Sequence, residues 1–417
     1  MRFNTLNQWL AWQETLHPSE IELGLERVAE VLQRLNLQKP GFTVVTVAGT
    51  NGKGSSVAML EAILLAADYR VGAYSSPHLL RYNERIRVNG VEVEDETLCT
   101  AFERIDQGRA EISLTYFEFG TLAAIEIFQH AKVDIAILEV GLGGRLDAVN
   151  VLDADVALVT AIDLDHQDWL GNDRETIGGE KAGILRAARP VVCSDPNPPR
   201  SLLETARQLG APLWLLGRDF QAQADDADNW RWNGPEGESI SLPHPALMGD
   251  FQLQNAAGVV MVLQALARDF PLDAAAIRSG LSKVSLPGRF QSLPGSPQQI
   301  LDVAHNSQSA QALAKNLETQ SCQGRTRVVL AMLADKDIAA VVDSLAKLVN
   351  DWYLAPLPVP RGAPVQLLQQ ALPDSACKSF ASVADAYAAA QEDASPEDRI
   401  VVVGSFYTVA AVLAQEV

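Results

Sequence analysis

The sequence predicts an α/β protein of two domains, each built on mostly parallel sheet. Three observations carry that prediction. Near-continuous apolar runs alternate with segments of helical periodicity, as in sheets covered on both faces. A glycine-rich turn joins one of these runs to a helix. A break at Leu286-Pro287-Gly288-Arg289, followed by Pro-Gly-Ser-Pro at 294–297, divides a chain of 417 residues, too long for one ordinary core. The boundaries expected are 1–287 for the larger domain and 288–417 for the smaller.

Taken in order, residues 43–47 (TVVTV) are β-branched and read as a buried strand. Residues 56–67 place Val57, Leu60, Ile63 and Leu64 at helical spacing. Strand-like runs follow at 71–74, 133–140 (VDIAILEV), 156–162 (VALVTAI) and 190–193, then in the second domain at 328–333 and 400–403. Residues 213–245, rich in Asp, Gly, Pro and Trp, read as a short β excursion, with 225–228 a solvated turn. In such sheets ligands gather at the carboxyl ends of the strands.

The turn is Gly49-Thr50-Asn51-Gly52-Lys53-Gly54-Ser55. Glycines let backbone N–H groups face an anion, the helix start adds partial positive charge, and Lys53 supplies a full one. A plain βα turn would leave that lysine without an anion. The first domain is therefore expected to be a P-loop-type nucleotide-binding domain, and the second a Rossmann-like α/β domain. The loop departs from the strict P-loop pattern: Val47 stands where a glycine is required, and Gly54 follows the lysine where Ser or Thr is required.

Composition excludes several classes. A hydrophobic content of 47% with 20% charged residues is that of a soluble globular chain. The longest apolar stretch, 256–263, is far short of a membrane span, and residues 1–16 carry no secretory pattern. Four scattered cysteines argue for reduced thiols in a cytoplasm and against a zinc site. A net charge of −19 argues against nucleic acid. An anionic substrate would then need a local cationic cluster, for which Lys53, Arg81, Arg85, Arg87, Arg289 and His305 are candidates.

Glu139 ends an apolar strand and precedes Val-Gly-Leu-Gly-Gly-Arg, a place suited to Mg²⁺. His166, after the next strand, reads by chemistry alone either as a general base or as a structural histidine, since hard cations prefer oxygen. The arginines of 75–87 suit carboxylate recognition. In the second domain Asp302 and His305 fall at a strand end, with Arg289 at the boundary, and are expected to close over a nucleotide held by the first domain. His17, His130 and His244 have no supporting context.

GTNGKGS, SSPHLLRYNERIRV, LEVGLGGRLDAVN, DHQDWLG, EKAGI, LPGRF, DVAHN and VVGSF stand in this order over nearly the whole chain. Together they resemble the folylpolyglutamate synthase family of the Mur ligase superfamily, and within it the bacterial bifunctional branch that also makes dihydrofolate. The resemblance implies that Thr50, Asn51, Gly52, Lys53, Gly54, Ser55, Asn255, Arg289, Asp302 and His305 hold ATP. It implies Ser76, Glu139, His166 and Lys181 as magnesium ligands, Lys181 being N-carboxylated, with two Mg²⁺ and a monovalent cation as companion. It gives the pterin to Glu20, Ile21, Glu22, Leu23, Thr115, Tyr116, Phe117, Glu118, Leu146, Asp147 and Ala148. Lys53, Lys181 and His166 would serve the chemistry.

The expected reaction joins L-glutamate to dihydropteroate and to reduced folates through an acyl phosphate, in a cytoplasmic monomer without nucleic-acid or membrane partners. The alternatives are a folylpolyglutamate synthase without dihydropteroate activity, a cell-wall Mur ligase, a nucleotide-operated switch and a non-catalytic nucleotide binder. SSPHL and DVAHN argue against the cell-wall ligase. A switch protein would show an Asn-Lys-x-Asp motif, and the nearest stretch is Ala334-Asp335-Lys336-Asp337.

Overall fold

A computed structural model describes residues 2–19, 21–225, 228–372 and 376–416. The chain divides into two compact units, one of residues 1–246 and 252–284, the other of residues 247–251 and 285–417.

The first unit carries an eight-stranded sheet. Its strands are β1 (Thr43–Ala48), β2 (Val71–Tyr74), β3 (Ile86–Val88), β4 (Val91–Glu92), β5 (Ile135–Glu139), β6 (Val156–Val159), β7 (Val191–Cys193) and β8 (Leu213–Leu215). Their order is β4-β3-β2-β5-β1-β6-β7-β8. All pairs are parallel except β2 with β3 and β3 with β4. Strands β1 and β5 are buried along nearly their whole length, which explains why they read as unbroken apolar runs.

Register decides which loops meet. Val47 lies beside Glu139, Tyr74 beside Leu138 and Ala48 beside Val159. The carboxyl ends of β2, β5, β1 and β6 therefore form one edge, and the loops after them are neighbours. The stretch expected as one β excursion divides in two. Residues Leu213–Leu215 extend the main sheet as its edge strand β8, while β9 (Gln221–Ala224), β10 (Asn229–Asn233) and β11 (Ser239–Pro243) form a separate antiparallel sheet. Trp230 and Trp232 bury one face of that small sheet. Of the turn 225–228, residues 226 and 227 lie outside those described.

The second unit holds β12 (Gln291–Leu293), β13 (Gln298–Asp302), β14 (Thr326–Leu330), β15 (Asp351–Leu354), β16 (Cys377–Ser379) and β17 (Arg399–Val403). The order is β12-β13-β17-β14-β15-β16, parallel but for the β12 edge. Asp302 is the last residue of β13. All four cysteines are free thiols, and among the described residues no helix is long and apolar enough to cross a membrane.

Candidate active site

The glycine loop leaves β1 and enters the helix Lys53–Ala66. Gly52 has a φ of 90°, and a Cβ there would stand 2.4 Å from Asn255 Oδ1. Only glycine meets both demands. The loop is tied to the end of β6. Thr50 N–H donates to Ala161 O (2.7 Å), the Thr50 hydroxyl donates to Asp163 O (2.9 Å), and the Thr160 hydroxyl is shared between Asn51 O (2.8 Å) and Ala48 O (3.2 Å). Lys53 Nζ folds back to Gly49 O (2.9 Å) and Thr50 O (3.1 Å), which places its charge over the loop. The Ser55 hydroxyl accepts from Gln252 Nε2 at 3.2 Å, and Gln252 Oε1 in turn accepts from Asn255 Nδ2 at 3.0 Å. Asn255 thus joins the loop some two hundred positions downstream, together with Gln252, which sequence reasoning missed.

Glu139 ends β5 and is buried, and its Oε2 accepts from the Ser76 N–H at 3.3 Å. His166 follows β6, with φ +50°, at the head of the short helix Gln167–Leu170. Among the described residues no group of three or more His, Cys, Asp or Glu could hold a metal ion. The buried strand-end carboxylate of Glu139, beside Ser76, is the kind of ligand Mg²⁺ takes, with phosphate and water oxygens completing the shell.

Lys181 closes the helix Arg174–Lys181 and is only 3% exposed. Burial first, and then the Lys53 ammonium, push its pKa down to about 7, against the opposing pull of Asp165 and Asp147. The cause is close packing. The Gly-Gly turn after β5 leaves no room for a side chain at Gly144, where a Cβ would meet Glu180 O at 2.8 Å and Lys181 Cα at 3.0 Å. Arg145 fastens the same turn, its N–H donating to Glu180 O (2.8 Å) and its guanidinium pairing with the Glu180 carboxylate (2.8 Å).

Asp147 lies beyond that turn. Burial pushes its carboxyl up to about 6, although the N–H groups of Leu142 (2.8 Å) and Val149 (3.0 Å) stabilise the carboxylate. Leu146 O accepts from Gly24 N–H at 3.2 Å, and Ala148 is buried. Thr115 and Glu118 form a capping box at the start of the helix Tyr116–Ala131. Removing such a cap costs about 1 kcal/mol. Arg27, also missed in the sequence, links two of the expected pterin segments. It pairs with Glu118 at 2.9 Å, donates to Glu22 O at 3.0 Å, and pairs with the Glu22 carboxylate. Ile21 and Leu23 are half-buried, and Glu20 lies outside the described residues. Tyr116 and Phe117 are half-buried, Phe117 lying 5.8 Å from Tyr74, ring to ring.

The expected cationic cluster is smaller than the sequence suggested. Arg87 is committed to Glu61 at 2.7 Å, while Arg81 and Asp95 approach to 3.5 Å on the exposed surface. Arg85 Nε donates to His78 Nδ1 at 2.8 Å, and burial with the nearby guanidinium lowers the His78 pKa to about 4. In the second unit Arg289, Asp302 and His305 do meet. Asp302 accepts from the N–H groups of Phe290 (2.9 Å) and Ala304 (2.8 Å), and burial raises its carboxyl while Arg289 and His305 oppose the shift. The Arg289 guanidinium lies 5.0 Å from the Phe406 ring, and His305 Nδ1 donates to Val303 O at 2.8 Å.

A phosphate-type loop, a buried lysine and a strand-end carboxylate thus share one sheet edge, and the comparisons assign that edge to an ATP-dependent ligase of the Mur type. Family models agree: the Mur ligase middle domain matches residues 47–263, and the Mur ligase glutamate ligase domain matches residues 288–406. The chain is 47% identical, over 98% of its length and 94% of the relative's, to the dihydrofolate synthase/folylpolyglutamate synthase of Escherichia coli K12. It belongs to the dihydrofolate synthase/folylpolyglutamate synthase family. Escherichia coli FolC, solved in complex with DHPP and ADP, superposes with a TM-score of 0.94 at 47% identity, covering 99% of this chain and 98% of that one. A bifunctional folylpolyglutamate synthase/dihydrofolate synthase solved with Mn, AMPPNP and L-glutamate gives 0.92 at 47% identity, over 99% and 98%.

Proposed function

We propose that the chain is an ATP-dependent carboxylate–amine ligase that joins L-glutamate to dihydropteroate and to reduced folates. The observation that carries this reading is that the glycine loop with Lys53, the strand-end Glu139 and the Gly144 turn packed on Lys181 share the carboxyl edge of one sheet. The relatives solved with ADP, AMPPNP, Mn and L-glutamate support ATP, a divalent cation and glutamate as its ligands.

A carboxylate resists attack by an amine because its oxygen is a poor leaving group. The acceptor carboxylate oxygen attacks the γ-phosphorus of ATP, ADP departs, and an acyl phosphate remains. The glutamate α-amine attacks its carbonyl and loses a proton, and the tetrahedral intermediate collapses to the amide with loss of phosphate. The loop amides and Lys53 hold the phosphates, and Lys53 offsets charge that grows during transfer. Thr115–Glu118, Ile21–Leu23 and Leu146–Ala148 hold the acceptor, braced by Arg27. Ser76, Glu139 and His166 would hold Mg²⁺, which supplies charge neutralisation on the phosphate oxygens when bound. Lys181 would take up CO₂ through its neutral amine, losing a proton, and the carbamate so formed would offer oxygens to a second cation. A pKa of about 7 keeps much of that amine neutral at neutral pH.

The test is phosphate release by the purified chain with ATP, Mg²⁺ and L-glutamate, given dihydropteroate or tetrahydrofolate. Release with both is expected. Release with tetrahydrofolate alone reduces the activity to folylpolyglutamate synthesis, and release with neither ends the proposal.

A further inference from the structure

Arg85 is an exception in an acidic protein. The chain carries 52 Asp and Glu against 33 Lys and Arg, and its neighbours in sequence, Arg81 and Arg87, are both ion-paired. Arg85 is half-buried, yet among the described residues no carboxylate reaches ion-pair distance of it. What holds it is neutral. Its Nε donates to His78 Nδ1 at 2.8 Å, which requires a lone pair on that nitrogen. Its guanidinium carbon lies 5.3 Å from the Tyr82 ring centre and 5.5 Å from that of Tyr116, and the two rings stand at 87° to each other.

Two aromatic faces and one nitrogen fix the plane of the guanidinium and leave its terminal N–H groups for a partner that the protein does not supply. A fixed planar fork matches a carboxylate or a phosphate. The surroundings favour the carboxylate. Tyr116, on whose ring Arg85 lies, belongs to the segment assigned above to the acceptor, and Phe117 of the same segment lies 5.8 Å from Tyr74, ring to ring. Phosphates have their own cation in Lys53.

We propose that Arg85 binds the benzoyl carboxylate of the dihydropteroate acceptor, a group that reduced folates, already amidated there, do not offer it. The inference rests on the acceptor assignment under Proposed function. It explains how a protein of net charge −19 admits an anionic acceptor beside Tyr116. Lysine would not substitute fully, because a point charge has neither the plane nor the paired donors.

Equilibrium binding to the full chain tests it, with pteroate compared against a pterin that lacks the aryl carboxylate. Wild type should favour pteroate by about tenfold or more, the usual size for a hydrogen bond to a charged group. Arg85→Gln should bring the ratio near one while leaving the carboxylate-free pterin unchanged, and Arg85→Lys should restore part of it. In turnover, Arg85→Gln should raise the KM for dihydropteroate and not those for ATP, glutamate or tetrahydrofolate. Retention of the preference by Arg85→Gln overturns the inference. So does an equal loss of both pterins, which would mark an aromatic packing role, or a rise confined to the KM for glutamate or ATP. Wild type binding neither pterin would remove the acceptor assignment itself. Wild type preference retained in the variant would remove only the role of Arg85. Melting temperatures separate misfolding from lost recognition, and Arg85→Met serves as a second neutral variant if Arg85→Gln is unstable.

Discussion

Lys53 and Lys181 stand in one electrostatic field, yet the protein treats them in opposite ways. Lys53 rests on two backbone carbonyls of its own loop, Gly49 and Thr50, and is only partly buried. Lys181 is sealed under the Gly143-Gly144 turn, and its proton is held so weakly that its pKa falls to about 7. Burial, more than the neighbouring charge, makes the difference, because the desolvation of an ammonium exceeds what a partly screened neighbour adds. The lesson is that a buried lysine is a site for losing a proton, while a lysine on carbonyls is a site for keeping one.

Four experiments press on that contrast. The largest effect is expected from Lys53→Ala, which should lower turnover by about a hundredfold to a thousandfold, the usual loss for one preorganised donor at a developing charge. Its melting temperature should stay near wild type. Near-normal turnover would place Lys53 away from the transferred phosphate. Lys181→Ala should lower turnover by about a hundredfold. Wild type kept free of bicarbonate should slowly lose activity and regain it when bicarbonate is added, whereas Lys53→Ala should keep the same relative response. If bicarbonate changes nothing, the carbamate proposal falls and the contrast loses its chemical meaning.

Gly52→Ala is intermediate. Its Cβ would press on Asn255 Oδ1 at 2.4 Å in a backbone region unfavourable to alanine, at a cost of about 1–3 kcal/mol. Titration calorimetry should show weaker ATP binding, with the bicarbonate response intact. Equal damage to both functions would mean that the loop and the Lys181 pocket move as one.

The smallest effect concerns Asp147. Its folded pKa of about 6 lies above its ordinary value of 3.8. Between those values the folded state binds more protons than the unfolded one. This carboxylate therefore lowers stability as pH rises through that window, with the full cost present above pH 6 and none below about 3.8. Carbon-13 NMR should find a carboxyl titrating near pH 6 that disappears in Asp147→Asn. A midpoint near 4 would contradict the degree of burial.

The two lysines also differ in how far they could be read in advance. The β-branched run before Gly49 and the glycines around Lys53 announce a strand, a turn and an anion. Parallel sheet was legible for the same reason, since β1, β5 and β17 are apolar on both faces. Glu180-Lys181 looks like an ordinary surface pair, and only the family resemblance singled it out. Its burial arises from a turn more than thirty positions earlier, and local periodicity carries no trace of that contact. Gln252 and Arg27 stayed hidden for a similar reason: each acts through partners far away in sequence, Ser55 and Glu118. The pairing of Arg87 with Glu61 was hidden too, because charge in a sequence does not reveal whether an acid already answers it.

The stitching of the glycine loop to β6 has a thermodynamic consequence. Thr160 bridges both sides of the turn, and Thr50 anchors its middle to Asp163, so the curvature that an anion requires is already held by side chains. Much of the conformational entropy of ordering the loop is spent when the chain folds, and is not charged again against each ATP that arrives. ATP binding should therefore release heat without a large opposing entropy of loop ordering, and the amide hydrogens of Thr50 and Asn51 should exchange slowly with solvent even before nucleotide is added.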